Sequence, residues 1–301
     1  MRFNPKARLD TSRMGDAGRG SRTSGGGIPI PGGAAGGGIG TLVIVAIIVV
    51  ASLWLGGGSD GGGDAGTDTD RYQQCESGAD ANSSADCARV AVENSLTDYW
   101  SDTLPAQSGT AFRAEHEIRT FTDGTSTGCG SASADVGPFY CPTDETIYLD
   151  TTFFDDVLEQ QLGGPDGGFV EAYVLAHEYG HHIQNLLGTM GRVKTQQGPK
   201  SDAVRLELQA DCYAGMWAKA ASSTQDADGL ALFEALTDED IQLAIEAATT
   251  VGDDRIQEAS GGEVDPEQWT HGSAKSRVAW FRTGHSEGTL EACDTFAPGA
   301  L

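Results

Sequence analysis

Three of the chain's six histidines fall in one stretch, HEYGHHIQ, His177 to Gln184. His177 and His181 are four residues apart, so on a helix both imidazoles lie on one face and can reach a single ion. Nitrogen donors in that arrangement suit zinc. Glu178 is the next residue along, placed to act as general base toward a metal-activated water. The chemistry this pattern points to is hydrolysis of a peptide bond. His182, one residue past the pair, points elsewhere and is expected to support the site or sit at the surface.

HExxH also arises by chance, so the remaining ligands must be found elsewhere in the chain. Three protein ligands are expected, with a fourth position left open for water. The metzincin pattern needs Gly at 184 and His at 187; this chain has Gln184 and Leu187, which excludes that class. A carboxylate on a later helix remains, and RLELQAD, Arg205 to Asp211, offers one. Glu207 and Asp211 are four apart and share a helix face. Glu207 is the expected ligand. Asp211 is expected to accept a hydrogen bond from the far nitrogen of a ligand histidine and fix its tautomer. Both could instead be solvated helix charges, but Leu206, Leu208, Ala210, Tyr213 and Trp217 surround them with apolar side chains. His271, in WTHGS, precedes a helix start and is a candidate donor to a developing oxyanion; a capping or packing role competes with it. Tyr179 and Arg277 are weaker candidates for the same task.

The elements that must position these groups are mostly helices. In GGFVEAYVLAHEYGHHIQNLLG, Val170 and Val174 lead at helical spacing into His177 and His181, and Tyr173, Ala176, Gly180, Ile183 and Leu187 form the adjoining stripe. Gly180 costs about 1 kcal/mol relative to Ala inside a helix, and would permit close approach of another helix. SDAVRLELQADCYAGMWAKAA is strongly helical, as is the span from about Ala85 to Leu104. LTDEDIQLAIEAATTVGDD offers Thr237 as N-cap and Gly252 past its end, while HGSAKSRVAWFRTG offers Ser273 as N-cap and Gly284 as stop. FFDDVLEQQLGG reads as a helix closed by glycine. Between Ala111 and Leu149, short runs such as IRTFT and TIYLD read as strands. GPFYCPTDETIYLD could supply an edge strand to which a substrate adds by backbone hydrogen bonds, or be structural only. The expected class is α+β, mainly helical.

The charge distribution bounds the surroundings. The net charge is −25, and the basic footprint of a nucleic-acid partner is missing. Up to Leu55 there are six Lys/Arg, Arg2 to Arg22, against Asp10 and Asp16; beyond it there are 13 Lys/Arg against 42 Asp/Glu. The boundary, Ile39–Leu55, is 17 residues without a charge. As a helix it rises about 26 Å, slightly short of a hydrocarbon core of about 30 Å. Positive residues precede it, so a single-pass bacterial anchor with a cytoplasmic N-terminus is expected; a cleaved signal peptide is the alternative. Residues 1–38, rich in glycine, read as a disordered cytoplasmic segment. Residues 56–70 read as a flexible acidic tether of about 20 Å, and 71–301 as the folded extracytoplasmic domain. All six cysteines follow the anchor, which suggests disulfides made in an oxidising compartment. Nearest-neighbour pairing gives Cys75–Cys87 and Cys129–Cys141 and leaves Cys212–Cys293, one of 15 connectivities.

Taken together, MRFNPKARLDTSRM, the Leu42–Leu55 span, CGSASADVGPFYCPTDETIYLD, HEYGHHIQ, ELQADCYAGMWA and WTHGSAKSRVAWFRTG make the chain resemble the Putative neutral zinc metallopeptidase family, bacterial proteins with an N-terminal anchor. The resemblance implies a zincin-like peptidase domain, with zinc carried by His177, His181 and Glu207 and with Glu178 as catalyst. ELQAD also looks like the ExxxD motif of other membrane-linked zincins. The leading expectation is a membrane-anchored zinc peptidase acting on peptide or protein substrates. A non-catalytic zinc-containing extracytoplasmic binding protein is the alternative, and a metal-free anchored module leaves the paired motifs unexplained. The intact Glu178 favours the enzyme, since a purely structural zinc site needs no base.

Overall fold

The computed structural model describes residues 1–19, 69–133 and 136–301. The expected anchor, Ile39–Leu55, and the tether up to residue 68 lie outside the described residues. Among those described, no helix is long and apolar enough to cross a membrane. In chain order the elements are β1 (Arg2–Phe3), β2 (Met14–Arg19), α1 (Ala85–Ser108), β3 (Glu117–Thr122), β4 (Gly124–Thr127), β5 (Gly130–Ser133), β6 (Phe139–Cys141), β7 (Thr146–Asp150), α2 (Gly168–Leu186), α3 (Asp202–Ala220), β8 (Phe233–Ala235), α4 (Asp238–Thr250), α5 (Asp253–Ala259) and α6 (Ala274–Glu287). The class is α+β and mainly helical, as expected.

The long helices begin where hydroxyl caps dictate. Ser84, Ser201, Thr237 and Ser273 each accept a bond from a backbone N–H three residues on, satisfying donors that the first helical turn leaves open. At α4 the carboxylate of Asp240 reaches back to Thr237 N, completing a reciprocal box. Helices α2, α3 and α6 pack through the centre, with Tyr173, Trp217 and Phe281 fully buried between them. Gly180 serves the close approach expected of it: a Cβ there would lie 3.1 Å from the Ala210 backbone of α3. Gly284 does not stop α6. The helix runs on to Glu287 and turns at Gly288. A Cβ on Gly284 would sit 1.8 Å from the carbonyl oxygen of Cys212, and one on Gly215 would sit 2.0 Å from that of Phe281. So α3 and α6 touch backbone to backbone, and only glycine fits either side. FFDDVLEQ forms a π-helical segment, Phe153–Glu159, instead of an α-helix.

A four-stranded sheet stands beside the helices in the order β2-β3-β7-β6. The pairs β2–β3 and β3–β7 are parallel, and β6 adds antiparallel at one edge. The disulfides are Cys75–Cys87, Cys129–Cys141 and Cys212–Cys293, the nearest-neighbour pairing. Cys129–Cys141 ties the β4–β5 hairpin to the edge strand β6.

The amino terminus departs from expectation. Residues 1–19 are not a disordered segment separate from the domain; they form a strap on it. Phe3, Ala7 and Met14 are buried in the main core, and Phe3 packs on Phe233. Strand β1 pairs with β8, and β2 fills one edge of the sheet, Met14 opposite Ile118. Thr69, where the described chain resumes, donates its N–H to Asp16 O at 3.0 Å. Three buried apolar residues in 19 suffice to dock the strap. The glycine run after Gly25 dominates the composition and hides them.

Candidate metal centre

Helix α2 carries His177, Glu178 and His181, and α3 carries Glu207 and Asp211; all five are buried. The close α2–α3 approach at Gly180 and Ala210 lets side chains of these lengths meet across the two helices. Nδ1 of His177 lies 2.8 Å from Asp211 Oδ1. A carboxylate only accepts there, so the proton sits on Nδ1 and the Nε2 lone pair is left free. That Nε2 lies 3.1 Å from Glu207 Oε2. His181 is oriented by Gln184, whose Oε1 lies 2.8 Å from Nδ1. The Gln184 amide nitrogen is committed to Leu206 O at 2.7 Å, which fixes which end of the amide faces the imidazole. His181 Nε2 is then 3.5 Å from the same Glu207 oxygen.

One donor atom from each of His177, His181 and Glu207 lies within 4.8 Å of the others. Tetrahedral zinc with bonds of about 2.0–2.1 Å would space its ligand atoms about 3.3 Å apart. The two measured separations, 3.1 and 3.5 Å, bracket that spacing. Two imidazoles whose Nε2 atoms face one carboxylate are also the right donor set for a divalent cation, which binds imidazole in its neutral form. The donor set fits zinc.

The electrostatics follow from burial. Burial alone would raise the Asp211 pKa, but the Arg277 guanidinium and His177 override it and hold the carboxyl at about 2. Arg277 grips both Asp211 oxygens, Nε to Oδ2 at 2.9 Å and a terminal nitrogen to Oδ1 at 3.0 Å, and a second terminal nitrogen donates to Val251 O. Tyr173 OH donates to Asp211 Oδ1 at 2.6 Å. Glu178 is raised above the usual carboxylate range by burial, against the pull of His181 and His177.

A cavity opens over this centre, lined by the ligands, Glu178, His271 and apolar side chains that include Phe139, Phe153, Val157 and Met190. Pro138, Phe139 and Tyr140 bring the edge strand β6 to its rim. His271 stands in the loop before α6. Asp253 builds that loop: its Oδ2 accepts from the backbone N–H groups of Thr270, His271 and Gly272 at 2.7, 2.7 and 2.9 Å. Burial opposes a charged His271, but Glu207 and Asp253 raise its pKa overall.

The two weaker donor candidates are committed to other partners, although Arg277 lines the cavity. Tyr179 sits on the back of α2 with its hydroxyl 3.0 Å from Thr97 Oγ1, and the Arg277 guanidinium is spent on Asp211. His182 is buried on Tyr140 OH and Arg113 O and takes no part in the ligand set. Sequence reasoning passed over Gln184, Tyr173 and Asp253. The first two stand at i+3 from His181 and i−4 from His177, a spacing that flags a helix neighbour. Asp253 has no such local signal.

The chain matches the family described as Putative neutral zinc metallopeptidase over residues 5–296. It is 50% identical over 230 residues to the uncharacterized protein Rv2575 of Mycobacterium tuberculosis H37Rv, covering 76% of each chain. The same values hold for the uncharacterized protein Mb2605 of Mycobacterium bovis. It is 42% identical over 178 residues to the uncharacterized protein YpfJ of Escherichia coli K12, covering 57% of this chain and 58% of that one. No solved structure gives a significant match. A match of this length, with two histidines and a glutamate converging from neighbouring helices, places the chain in the family described as Putative neutral zinc metallopeptidase.

Proposed function

We propose that the protein is a zinc-dependent peptidase working outside the cytoplasm on peptide or protein substrates. One observation carries the reading: Glu178 lines the same cavity as the three metal-ligand candidates, beside an apolar wall and an open rim. Zinc, when bound by His177, His181 and Glu207, supplies Lewis acidity that lowers the pKa of water and polarises a carbonyl. Glu178 takes the proton of the attacking water and passes it to the leaving amine. Burial raises its pKa above the ordinary carboxylate range, the direction that helps a carboxylate hold the proton it takes. His271, held by the Asp253-built loop, donates to the oxygen on which negative charge develops. Strand β6 is an edge of the sheet among the described residues and lies at the rim, where an extended substrate adds as a further strand. The apolar cavity wall favours a bulky apolar side chain beside the bond to be cut. The disulfides support an oxidising compartment.

The test is metal analysis of the purified protein together with casein cleavage by wild type and Glu178→Ala. Zinc uptake by both and cleavage by wild type alone is the expected result. Zinc uptake with no cleavage by either protein would instead favour a zinc-containing binding protein, and equal cleavage by both would remove the assigned base.

A further inference from the structure

The back of α2 carries a second buried acidic cluster that the chemistry above does not use. Tyr179 lies between the two ligand histidines in sequence, on the opposite side of the helix. From its hydroxyl a chain of polar contacts leads outward. Thr97 Oγ1 lies 3.0 Å from Tyr179 OH and donates to Glu93 Oε1 at 2.8 Å. Arg13 Nε donates to that same Glu93 oxygen at 2.7 Å and stands 3.8 Å from Glu115 Oε1. Asn94 donates to the other Glu93 oxygen at 2.6 Å. Both glutamates are buried, at 0% and 2% exposure. Tyr179 faces Glu115, but no hydrogen bond of ordinary geometry reaches either Glu115 oxygen. Two buried carboxylates thus share one guanidinium. Burial, then the neighbouring Glu93 charge, push the Glu115 pKa up to about 8 against the pull of Arg13. At neutral pH Glu115 keeps its proton, and the three groups together carry no net charge.

Arg13 is the only member of this set that comes from the strap; Glu93, Thr97, Glu115 and Tyr179 all belong to the body. We propose that Arg13 is a positioning residue for the metal helix, and that the strap carrying it lies in the same compartment as the body. Without Arg13, a buried carboxylate stands uncompensated behind Tyr179, two residues from each ligand histidine. Relief of that charge by water or by movement of α2 shifts His177 and His181 relative to Glu207. The compartment follows from strand pairing. Strand β2 pairs with β3 through Met14, Gly15, Asp16 and Arg19, and Thr69 returns to bond Asp16 O. A single membrane crossing between Arg19 and Thr69 would put the two partners on opposite faces of the bilayer. The strap must therefore be exported with the body or stay with it, which overturns a cytoplasmic amino terminus beneath an exported domain.

The proposal rests on the peptidase reading only for its activity readout, so zinc affinity is measured separately. Full-length wild type, Arg13→Ala, Arg13→Lys and Arg13→Ala/Glu93→Gln are compared by chelator competition and by casein cleavage. Arg13→Ala is expected to weaken zinc binding about 10-fold or more, the scale seen when supports of a ligand shell are removed. Arg13→Lys and the double variant should recover most of the loss, because each restores charge balance. Arg13→Ala that binds zinc within two-fold of wild type overturns the proposal, as does a double variant no better than the single. If Arg13→Ala fails to fold, a folded, zinc-binding double variant sustains it and an unfolded one overturns it. Absence of cleavage in all four, with the affinity pattern intact, would fault the peptidase reading alone. In intact cells, Lys6→Cys and Lys200→Cys, both exposed, should react equally with a membrane-impermeant maleimide. Labelling of Lys6→Cys only after permeabilisation, with Lys200→Cys labelled before it, overturns the shared compartment.

Discussion

The two faces of α2 solve one problem in different ways. The metal face buries three carboxylates, Glu178 among them, and the back buries two. On the metal face, Glu207 and Asp211 are met by two imidazoles, the Arg277 guanidinium and a place for a divalent cation. On the back, Glu93 and Glu115 are met by a single cation, Arg13, with Thr97 and Asn94 donating to Glu93. Burying a charge is tolerable only when it is paired or neutralised. The front is supplied from three neighbouring helices and is dense with hydrogen bonds. The back draws its cation from one residue of the strap, 80 residues from Glu93, and it makes up the difference with a proton. One face is therefore built to hold a cation, the other to be neutral only when the molecule is complete.

The largest effect belongs to the front. Glu178→Gln keeps the shape of the site but cannot take a proton, so kcat/KM should fall by about 10²–10⁴-fold while zinc content is unchanged. A matching loss of zinc would move Glu178 from catalyst to scaffold. Next, His271→Ala should lower kcat by about 10²–10³-fold with little change in KM, as expected for a donor that acts mainly in the transition state; a change confined to KM would make it a substrate-binding group. Asp211→Asn should weaken zinc binding about 10–100-fold, because His177 loses the acceptor that fixes its tautomer. An unchanged affinity would show that Arg277, and not His177, is the reason Asp211 is buried.

The smallest effect belongs to the back. The folded pKa of Glu115, about 8, lies above its ordinary value of 4.5. The stability this group contributes is thus fully present below about pH 4.5 and is lost as pH rises through 8. Glu115→Gln removes that dependence. The unfolding free energy read from denaturant titrations should rise by on the order of 1–3 kcal/mol at pH 7 and by more toward pH 9, with the midpoint moving up accordingly. A midpoint that falls would mean that Glu115 is charged in the native protein and paired with Arg13.

The front was legible in the sequence and the back was not. HExxH and ExxxD are local spacings, and a helix converts four residues of separation into one shared face. That gave His177, His181, Glu207 and the Asp211 support with no knowledge of the fold. Helix starts at Ser273 and Thr237 were legible for the same reason, because a cap is a local bond. Gly284 misled because glycine has two uses, ending a helix or letting another backbone in, and only the packing partner tells them apart. Arg13, Glu93 and Glu115 are 80 and 22 residues apart, with no periodicity linking them. Their association depends on a parallel strand pair that no local pattern announces.

That strand pair has a consequence for biogenesis. The residues of β2 leave the ribosome well before their partner β3, which ends at Thr122, about a hundred residues later. Synthesis proceeds from the amino terminus, and contacts so distant along the chain close slowly. A piece made early is thus among the last to dock. Its seating reports that translation, and any transport, has gone far enough to deliver the rest.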